Sequence, residues 1–343
     1  MDQSGSYEQI MKRIIFGLTG DNSKDIPYLK ELEKSFENHP LQKEITEGIG
    51  TLVNNILPMY KGDDMDGLRR KSKTDIVLEE TESLVNKKEY DKALAVFEKH
   101  CAVIKDVYES DSKNVYYCFT NILEETLYEQ LNKTSQKFRD LLEDLPSFYL
   151  VYGNLLFKLK RYSEARAIYK KGLQYNPVST ALLFSYAETL KVTSEFDEFL
   201  KITADALSLA YMKQDIARAY RNYGYYNSEI ERFDTAMSFY FVSLLFEKSE
   251  DAKREMNYII QKTGIKPDFS NPGKFIITMK KEKVQCGAST FVIGVLETLV
   301  KYSVESNMYG LAREMLMVLY NLTDEKKYLD LVNDLHSKKG ESA

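Results

Sequence analysis

The cysteine at position 286 has the surroundings in this sequence that most suggest covalent chemistry. The stretch "VQCGAST" is similar to the context of some nucleophilic cysteines. A cysteine nucleophile needs a general base within hydrogen-bonding reach and a third group that orients the base. Of the three histidines, His39 lies beside a proline, His100 in a predicted helix core and His336 in the C-terminal tail. We therefore expect Cys286 to be structural, in a loop before a helix that Ser289 caps, and no catalytic residue is predicted.

Metal and cofactor sites have equally little support in the sequence. No pair of cysteines or histidines has the spacing of metal ligands, and the pair Glu124 and Glu125 is typical of a solvated helix face. The "GIG" at 48–50 lies in an amphipathic segment and lacks the further glycines and the lysine of a phosphate-binding loop. We predict no metal and no cofactor.

Charge and cysteine content indicate the kind of partner and the compartment. The net charge is −5, and the basic run at 69–73 follows an acidic run at 63–66, which favours a salt-laced linker over a nucleic-acid site. The longest apolar stretch, at 289–300, contains Glu297 and is too short to span a bilayer. Three cysteines without framework spacing and a start without a cleavage-like site predict a reducing, cytoplasmic compartment. We expect no nucleic acid and no membrane as partners.

A short pattern recurs along the chain and determines the predicted architecture. In its clearest copies an aromatic residue is followed by an alanine three residues later and by a large apolar residue four further on. The aromatics that open the copies are Tyr90, Tyr162, Phe196, Phe233 and Tyr309. The intervals between them are 72, 34, 37 and 76 residues, or about two, one, one and two periods. A helical pattern with a period in this range predicts stacked helix pairs.

The repeats resemble the tetratricopeptide repeat (TPR), whose pattern is W-x₂-L-G-x₂-Y, then A-x₃-F, then P. The copy at 146–179 matches best, with Tyr149, Tyr152, Gly153, Leu156, Ala165, Tyr169 and Pro177 in the pattern positions. The copies at 180–213 and 217–250 match at fewer positions. Gly153 and Ala165 are small residues where the two helices of a pair would cross. The resemblance implies an all-α fold, a right-handed α-solenoid of stacked antiparallel helix pairs.

The remaining segments complete the predicted organisation. We expect an N-terminal helical cap or bundle at 1–60, a charged linker at 61–73, divergent helix pairs at 74–145 and core repeats at 146–250. A degenerate pair interrupted by Pro and Gly follows at 251–292, then a repeat and a C-terminal capping helix at 293–343. Segments 114–131 and 135–145 are predicted to form one helix pair. Periodicity does not separate helix from strand at 274–284, and we prefer a helix.

The resemblance also implies where a partner would bind, because the first helices of such pairs line an inner, concave groove that holds peptides. The residues of this chain in those positions are Asn154, Phe157, Lys158, Glu188, Lys191, Arg218, Arg221, Asn222, Tyr225 and Ser228. Some TPR co-chaperones hold a terminal carboxylate there with a Lys/Asn/Arg clamp. This chain has Asn154 and Arg218, but Leu150 and Ser185 stand where the clamp has Lys and Asn. An acidic or C-terminal segment is the expected partner.

Two alternatives stay open for the arginines and two for the function. Arg218 and Arg221 lie three residues apart, so they could face one anion, or they could form salt bridges to Glu188 or Asp215. The first functional hypothesis is a non-catalytic scaffold or adaptor that binds an extended peptide or a partner helix. The second is a regulatory peptide sensor whose residues 1–60, with a net charge of −3, form a protein-binding output domain. Self-association through the N-terminal helices and occupation of the groove by them are also open.

Overall fold

The protein is almost entirely α-helical wherever the computed structural model describes it. The described residues are 7, 10–11, 14, 22–37, 39–56, 72–108, 115–132, 138–140, 143–264 and 267–340. They form two compact units. One comprises 1–148, 296–317 and 329–343, and the other comprises 149–295 and 318–328.

Sixteen helices and two short strands follow one another along the described residues. The first unit begins with α1 (Asn22–Ser35), α2 (Gln42–Ile56), α3 (Lys73–Asn86), α4 (Tyr90–Tyr108), β1 (Val115–Tyr117), α5 (Ile122–Leu131) and β2 (Phe138–Asp140). Next come α6 (Leu145–Lys158), α7 (Tyr162–Tyr175), α8 (Thr180–Val192), α9 (Phe196–Leu209), α10 (Lys213–Glu229), α11 (Phe233–Phe246), α12 (Glu250–Thr263) and α13 (Pro272–Lys281). The last are α14 (Thr290–Glu305), α15 (Tyr309–Thr323) and α16 (Lys326–Gly340). From α7 to α12 each helix packs against the next, so the predicted all-α class with stacked helix pairs is confirmed.

The five aromatics that mark the repeat each occupy the first position of a helix, namely α4, α7, α9, α11 and α15. Two residues before each aromatic the backbone is left-handed, with φ between 58° and 62°. The left-handed residues are Lys88, Lys160, Ser194, Glu231 and Asn307. Such a residue ends a helix and reverses the chain within two or three positions. The first and second helices of these five pairs are therefore joined by the same tight turn.

Two backbone hydrogen bonds close each of these turns. In the best-matching repeat the N–H of Lys160 donates to the carbonyl of Phe157 at 2.9 Å, and the N–H of Arg161 donates to the carbonyl of Leu156 at 2.9 Å. The N–H of Glu195 donates to the carbonyl of Leu190 in the same way, also at 2.9 Å. These bonds satisfy carbonyl groups that the end of a helix would otherwise leave without partners.

Small residues sit where the two helices of a pair cross, as the pattern predicts. The Cα of Gly153 on α6 lies against the ring of Tyr169 on α7, so a Cβ at this glycine would overlap the ring. Ala165 is fully buried, and Gly224 has the same relation to Tyr240, with a Cβ 2.9 Å from the ring. The close approach of the helix axes therefore depends on glycine or alanine at these positions.

The segment at 115–140 differs from the predicted helix pair. Residues 115–117 and 138–140 form two parallel strands, and the one helix between them is α5. Valine followed by two tyrosines favours an extended backbone, because branched and aromatic side chains pack well on a pleated surface. The ring of Tyr117 lies 4.4 Å from that of Tyr128 on α5, measured between centroids. The prediction of two helices here is wrong for the second one.

The residues described before α1, namely 7, 10, 11 and 14, are helical. Ile10, Met11 and Ile14 are buried in one apolar cluster with residues of α1 and α2. Self-association through this region stays a prediction, and residues 57–71, which hold most of the expected linker, lie outside the described residues. At its end Ser72 caps α3 by accepting from the N–H of Asp75 at 3.0 Å. In the other unit, residues 274–281 of the ambiguous segment lie in α13, so the preference for a helix is confirmed for them.

One buried tyrosine anchors the loop that precedes α14. Tyr220 on α10 is fully buried, and its hydroxyl donates to the carbonyl of Gln285 at 2.9 Å. The same oxygen accepts from the N–H of Gly287 at 2.7 Å. Gly287 has φ +82°, a conformation that glycine adopts without strain. The loop around Cys286 is therefore held to α10 by both sides of a single hydroxyl group.

No helix in the described ranges is both long and apolar enough to cross a bilayer.

Gly153→Ala should lower the free energy of unfolding by about 1–3 kcal/mol, because Tyr169 is buried and has no room to move away from the added methyl. Gly294→Ala is the matched control, since nothing lies within 4 Å of a Cβ at this position in α14. The control should be neutral or stabilise by up to about 1 kcal/mol through helix propensity. Denaturant unfolding of both variants measures this. Equal effects of the two substitutions would contradict the helix-crossing role of Gly153.

Glu314→Gln should stabilise the protein at alkaline pH. Burial raises the pKa of Glu314 to about 7 from an ordinary value of 4.5, so the folded state favours the protonated carboxyl. Stability from this group is complete below pH 4.5 and is lost as the pH rises towards 7. The advantage of the glutamine variant should grow by roughly 1–2 kcal/mol between pH 5 and pH 8. Unfolding curves at both pH values measure it, and a pH-independent difference would refute the burial of the carboxyl.

Candidate functional site

A pocket of about 440 Å³ opens between the first helices of three successive pairs. Helix α8 contributes residues 188 and 191, α10 contributes 218, 221, 222 and 225, and α12 contributes 251, 252, 254 and 255. Tyr240 of α11 completes the lining. The sequence therefore places residues from three repeats around a single cavity.

Six of the ten residues expected on the inner face line this pocket. They are Glu188, Lys191, Arg218, Arg221, Asn222 and Tyr225. The other four, Asn154, Phe157, Lys158 and Ser228, do not contribute to it. Asn154 instead accepts a hydrogen bond of 2.8 Å from the hydroxyl of Tyr169. The rings of Phe157 and Tyr162 meet edge to face with their centroids 5.2 Å apart.

At one end of the pocket two cations share the carboxylate of Glu188. Its oxygens lie 3.6 Å from Nζ of Lys191 and 4.0 Å from a guanidinium nitrogen of Arg218. The guanidinium of Arg218 also lies 5.0 Å from the centroid of the Phe184 ring. Burial lowers the pKa of Arg218, while Glu188 and Asp215 act in the opposite direction. Arginine keeps its charge in proteins, so this end holds two buried or half-buried positive charges.

Arg221 pairs with a different carboxylate. One of its guanidinium nitrogens lies 2.8 Å from an oxygen of Glu247, and its side chain is 23% exposed. Of the two alternatives for the arginine pair, the salt bridge between Arg218 and Glu188 is formed. Both guanidinium groups still border the pocket, so they remain within reach of a ligand.

Asn222 and Tyr225 connect the pocket to the packing between helices. Asn222 is 2% exposed, and its amide donates to the hydroxyl of Thr203 on α9 at 3.2 Å. The ammonium of Lys191 lies 4.5 Å from the centroid of the Tyr225 ring. Burial raises the pKa of Tyr225, and the charges of Glu229, Glu188 and Glu255 add to the effect. Tyr225 therefore lies near three carboxylates, and a lysine covers its ring.

The wall formed by α12 was not identified from the sequence. It consists of Asp251 and Arg254, which form an ion pair with each other, together with Ala252 and Glu255. Arg218 and Arg221 lie 34 residues before Ala252 and Glu255, which is one repeat length. Carrying the inner-face positions one repeat further would have found this wall. The degenerate pattern after residue 250 hid the signal.

The residues considered for catalysis and metal binding have other contacts. Burial raises the pKa of the Cys286 thiol, which disfavours the thiolate, and its Sγ donates weakly to the carbonyl of Val284 at 3.8 Å. His100 lies 2.9 Å from the hydroxyl of Thr74, and Nδ1 of His39 accepts from the N–H of Leu41 at 3.0 Å. Within the described ranges no three His, Cys, Asp or Glu side chains lie close enough to hold a metal ion.

Comparison with protein families identifies the central helix pair. The model of the family described as "Tetratricopeptide repeat" matches residues 146–179, which contain α6 and α7. Residues 146–179 are a tetratricopeptide repeat. The match begins and ends at the boundaries of the best copy in the sequence, so the predicted resemblance is confirmed, and it supports a protein-interaction scaffold in general terms. A search of the curated proteins found no match.

Among solved structures, the chain is similar to one from the "Crystal structure of APC/C hetero-tetramer Cut9-Hcn1". The identity is 14%, and the alignment covers 96% of this chain and 69% of that chain. The TM-score is 0.26, which is too low to support any conclusion.

In the tetratricopeptide repeat at 146–179, Asn154 stands at a clamp position but forms its hydrogen bond within the helix pair. The hydroxyl that Asn154 accepts from belongs to Tyr169, which is also the residue packed against Gly153. Leu150 and Ser185, which replace the other clamp residues, are both half-buried. The positive residues of the pocket lie further on, in α8, α10 and α12.

Asn154→Ala and Tyr169→Phe should each lower the free energy of unfolding by about 1 kcal/mol, because each removes the same hydrogen bond. The double variant should lose about as much as either single one, which a double-mutant cycle of denaturant unfolding measures. Additive losses would show that the two side chains act independently and would make Asn154 available to a ligand.

Proposed function

We propose that this chain is a non-catalytic scaffold or adaptor that binds an extended peptide segment or a partner helix. The segment would lie in a groove along the face made by α6, α8, α10 and α12 and would place side chains in the pocket. The observation that carries the proposal is that equivalent positions of three successive repeats converge on one cavity. Repeats that present the same positions at regular spacing suit a linear ligand.

The composition of the pocket favours a protein ligand over a metabolite. Its lining is dominated by charged and polar side chains, whereas small-molecule sites are mostly apolar with few polar groups. Beyond the pocket the same face of α12 continues with Tyr258, which is 51% exposed. Exposed tyrosines are common in the binding surfaces of proteins. A peptide that enters the pocket would meet this ring one helical turn further along.

An acidic or C-terminal segment of the partner would bind at the end of the pocket near Glu188. Lys191 and Arg218 share that single carboxylate at distances longer than a hydrogen bond, so both retain capacity for an added carboxylate. The proposed compartment is the cytoplasm. This placement is supported by the three cysteines, all of which lie in described parts of the chain and none of which forms a disulfide there.

The double substitution Arg218→Ala and Arg221→Ala should weaken partner binding. The test is affinity capture from a lysate of the source cells, followed by titration of the captured partner with wild type and variant. We expect an affinity loss of about tenfold or more, since both guanidinium groups border the pocket.

Arg166→Ala is the matched control, because this arginine of α7 also forms an ion pair, with Glu195, but lies outside the pocket. Circular dichroism establishes that all variants fold alike. A partner that binds wild type and the double variant equally would refute the proposed site.

A further inference from the structure

The pocket has a negative end, opposite in character to the one where Lys191 and Arg218 share Glu188. Glu255 lines the pocket from α12, and across the described ranges it forms no hydrogen bond and no ion pair. It lies one helical turn from Asp251, whose carboxylate is already paired with Arg254. An unpaired carboxylate that borders a cavity is a potential binding group for a cation.

The other carboxylates around the cavity are already neutralised. Glu188 is held by Lys191 and Arg218, and Glu247 is held by Arg221. Asp215 accepts a hydrogen bond of 2.8 Å from Thr180, and its charge acts to raise the pKa of Arg218. The positive charges of the pocket are thus largely balanced from within the protein. Glu255 is the lining carboxylate left without a counter-charge among the described residues.

Two tyrosines lie close enough to Glu255 for its charge to affect their pKa. Burial is the main cause of the raised pKa of Tyr240 and of Tyr225. The charge of Glu255 adds to it at Tyr240, whereas at Tyr225 the charges of Glu229 and Glu188 contribute more than that of Glu255. Glu229 follows Tyr225 by one helical turn on α10. Glu229 and Glu255 therefore both lie near these two tyrosines. The face of Tyr225 is already covered by Lys191 and Tyr240 is 2% exposed, so a ligand cation would meet the carboxylate rather than the rings.

We infer that the partner segment places an arginine or lysine side chain against Glu255, on the α12 wall of the pocket. This inference rests on the proposed function and adds to it a second charged contact between the segment and the pocket. An acidic group of the segment faces Lys191 and Arg218, and a basic residue faces Glu255. A segment that carries only acidic residues would bring like charges to the Glu255 end, which opposes binding. The charges also orient the segment, because reversing it would place each charge beside one of its own sign.

A random twelve-residue peptide library displayed on phage is the probe, and the full chain is the bait. Wild type should enrich peptides that carry both an acidic and a basic residue at a constant spacing. Glu255→Lys should lose the preference for the basic residue. Asp205→Lys is the matched control, since Asp205 is also exposed and lies on the second helix α9 of its pair.

A synthetic copy of the most enriched peptide then allows a charge swap, measured by fluorescence polarisation. Its affinity should fall about tenfold or more on Glu255→Lys and should be unchanged on Asp205→Lys. Replacing its basic residue with glutamate should restore binding to the Glu255→Lys variant and weaken binding to wild type.

The outcomes separate this inference from the proposed function. If peptides are enriched but the basic preference is absent, or is unchanged in Glu255→Lys, the role of Glu255 is refuted while the scaffold proposal stands. If wild type enriches no peptide, the proposed function is refuted and this inference with it.

Discussion

The turn between the two helices of each pair is the constraint on which the rest of the structure depends. A left-handed residue two positions before the opening aromatic ends the first helix, and two backbone hydrogen bonds close the turn. The second helix then returns along the first at a distance that only glycine or alanine permits at the crossing point. Because the turn is the same in the five pairs that carry the aromatic, equivalent positions of α8 and α10 fall next to one another across repeats.

The pocket follows from that alignment. Positions 188 and 222, 191 and 225, and 221 and 255 are each separated by one repeat of 34 residues, and all six line the cavity. The repeats differ in charge at these positions, with Glu188 replaced by Asn222 and Arg221 by Glu255. A regular backbone thus presents an irregular pattern of charge. Much of that pattern is balanced by internal ion pairs, which individually contribute little to stability at the surface but hold the side chains in fixed positions.

The sequence was sufficient to predict the structural features that depend on residue type. Aromatics at helix starts, Gly153 at the crossing and the boundaries of the central repeat follow from steric requirements that few residues meet. The left-handed turn residues could not be found in this way, because Lys160, Ser194 and Glu231 have no common chemistry. Their conformation is imposed by the helices on either side. The strand at 138–140 and the α12 wall were missed for a related reason. The repeat pattern is weak in both segments, and their structure was inferred from the spacing of the clearer repeats on either side. Six of ten inner-face residues reached the pocket, and Asn154 did not, because its partner Tyr169 lies within its own repeat.

Tyr220 connects the helix that carries Arg218 and Arg221 to the loop around Cys286. It lies between Arg218 and Arg221 on α10, and its hydroxyl holds the backbone on both sides of Cys286. The thiol of Cys286 is exposed, while the residues on either side of it are bonded to the helix that carries Arg218 and Arg221. A fluorophore attached to that sulfur would therefore report on a loop that α10 holds in place, without any change to the residues that line the pocket.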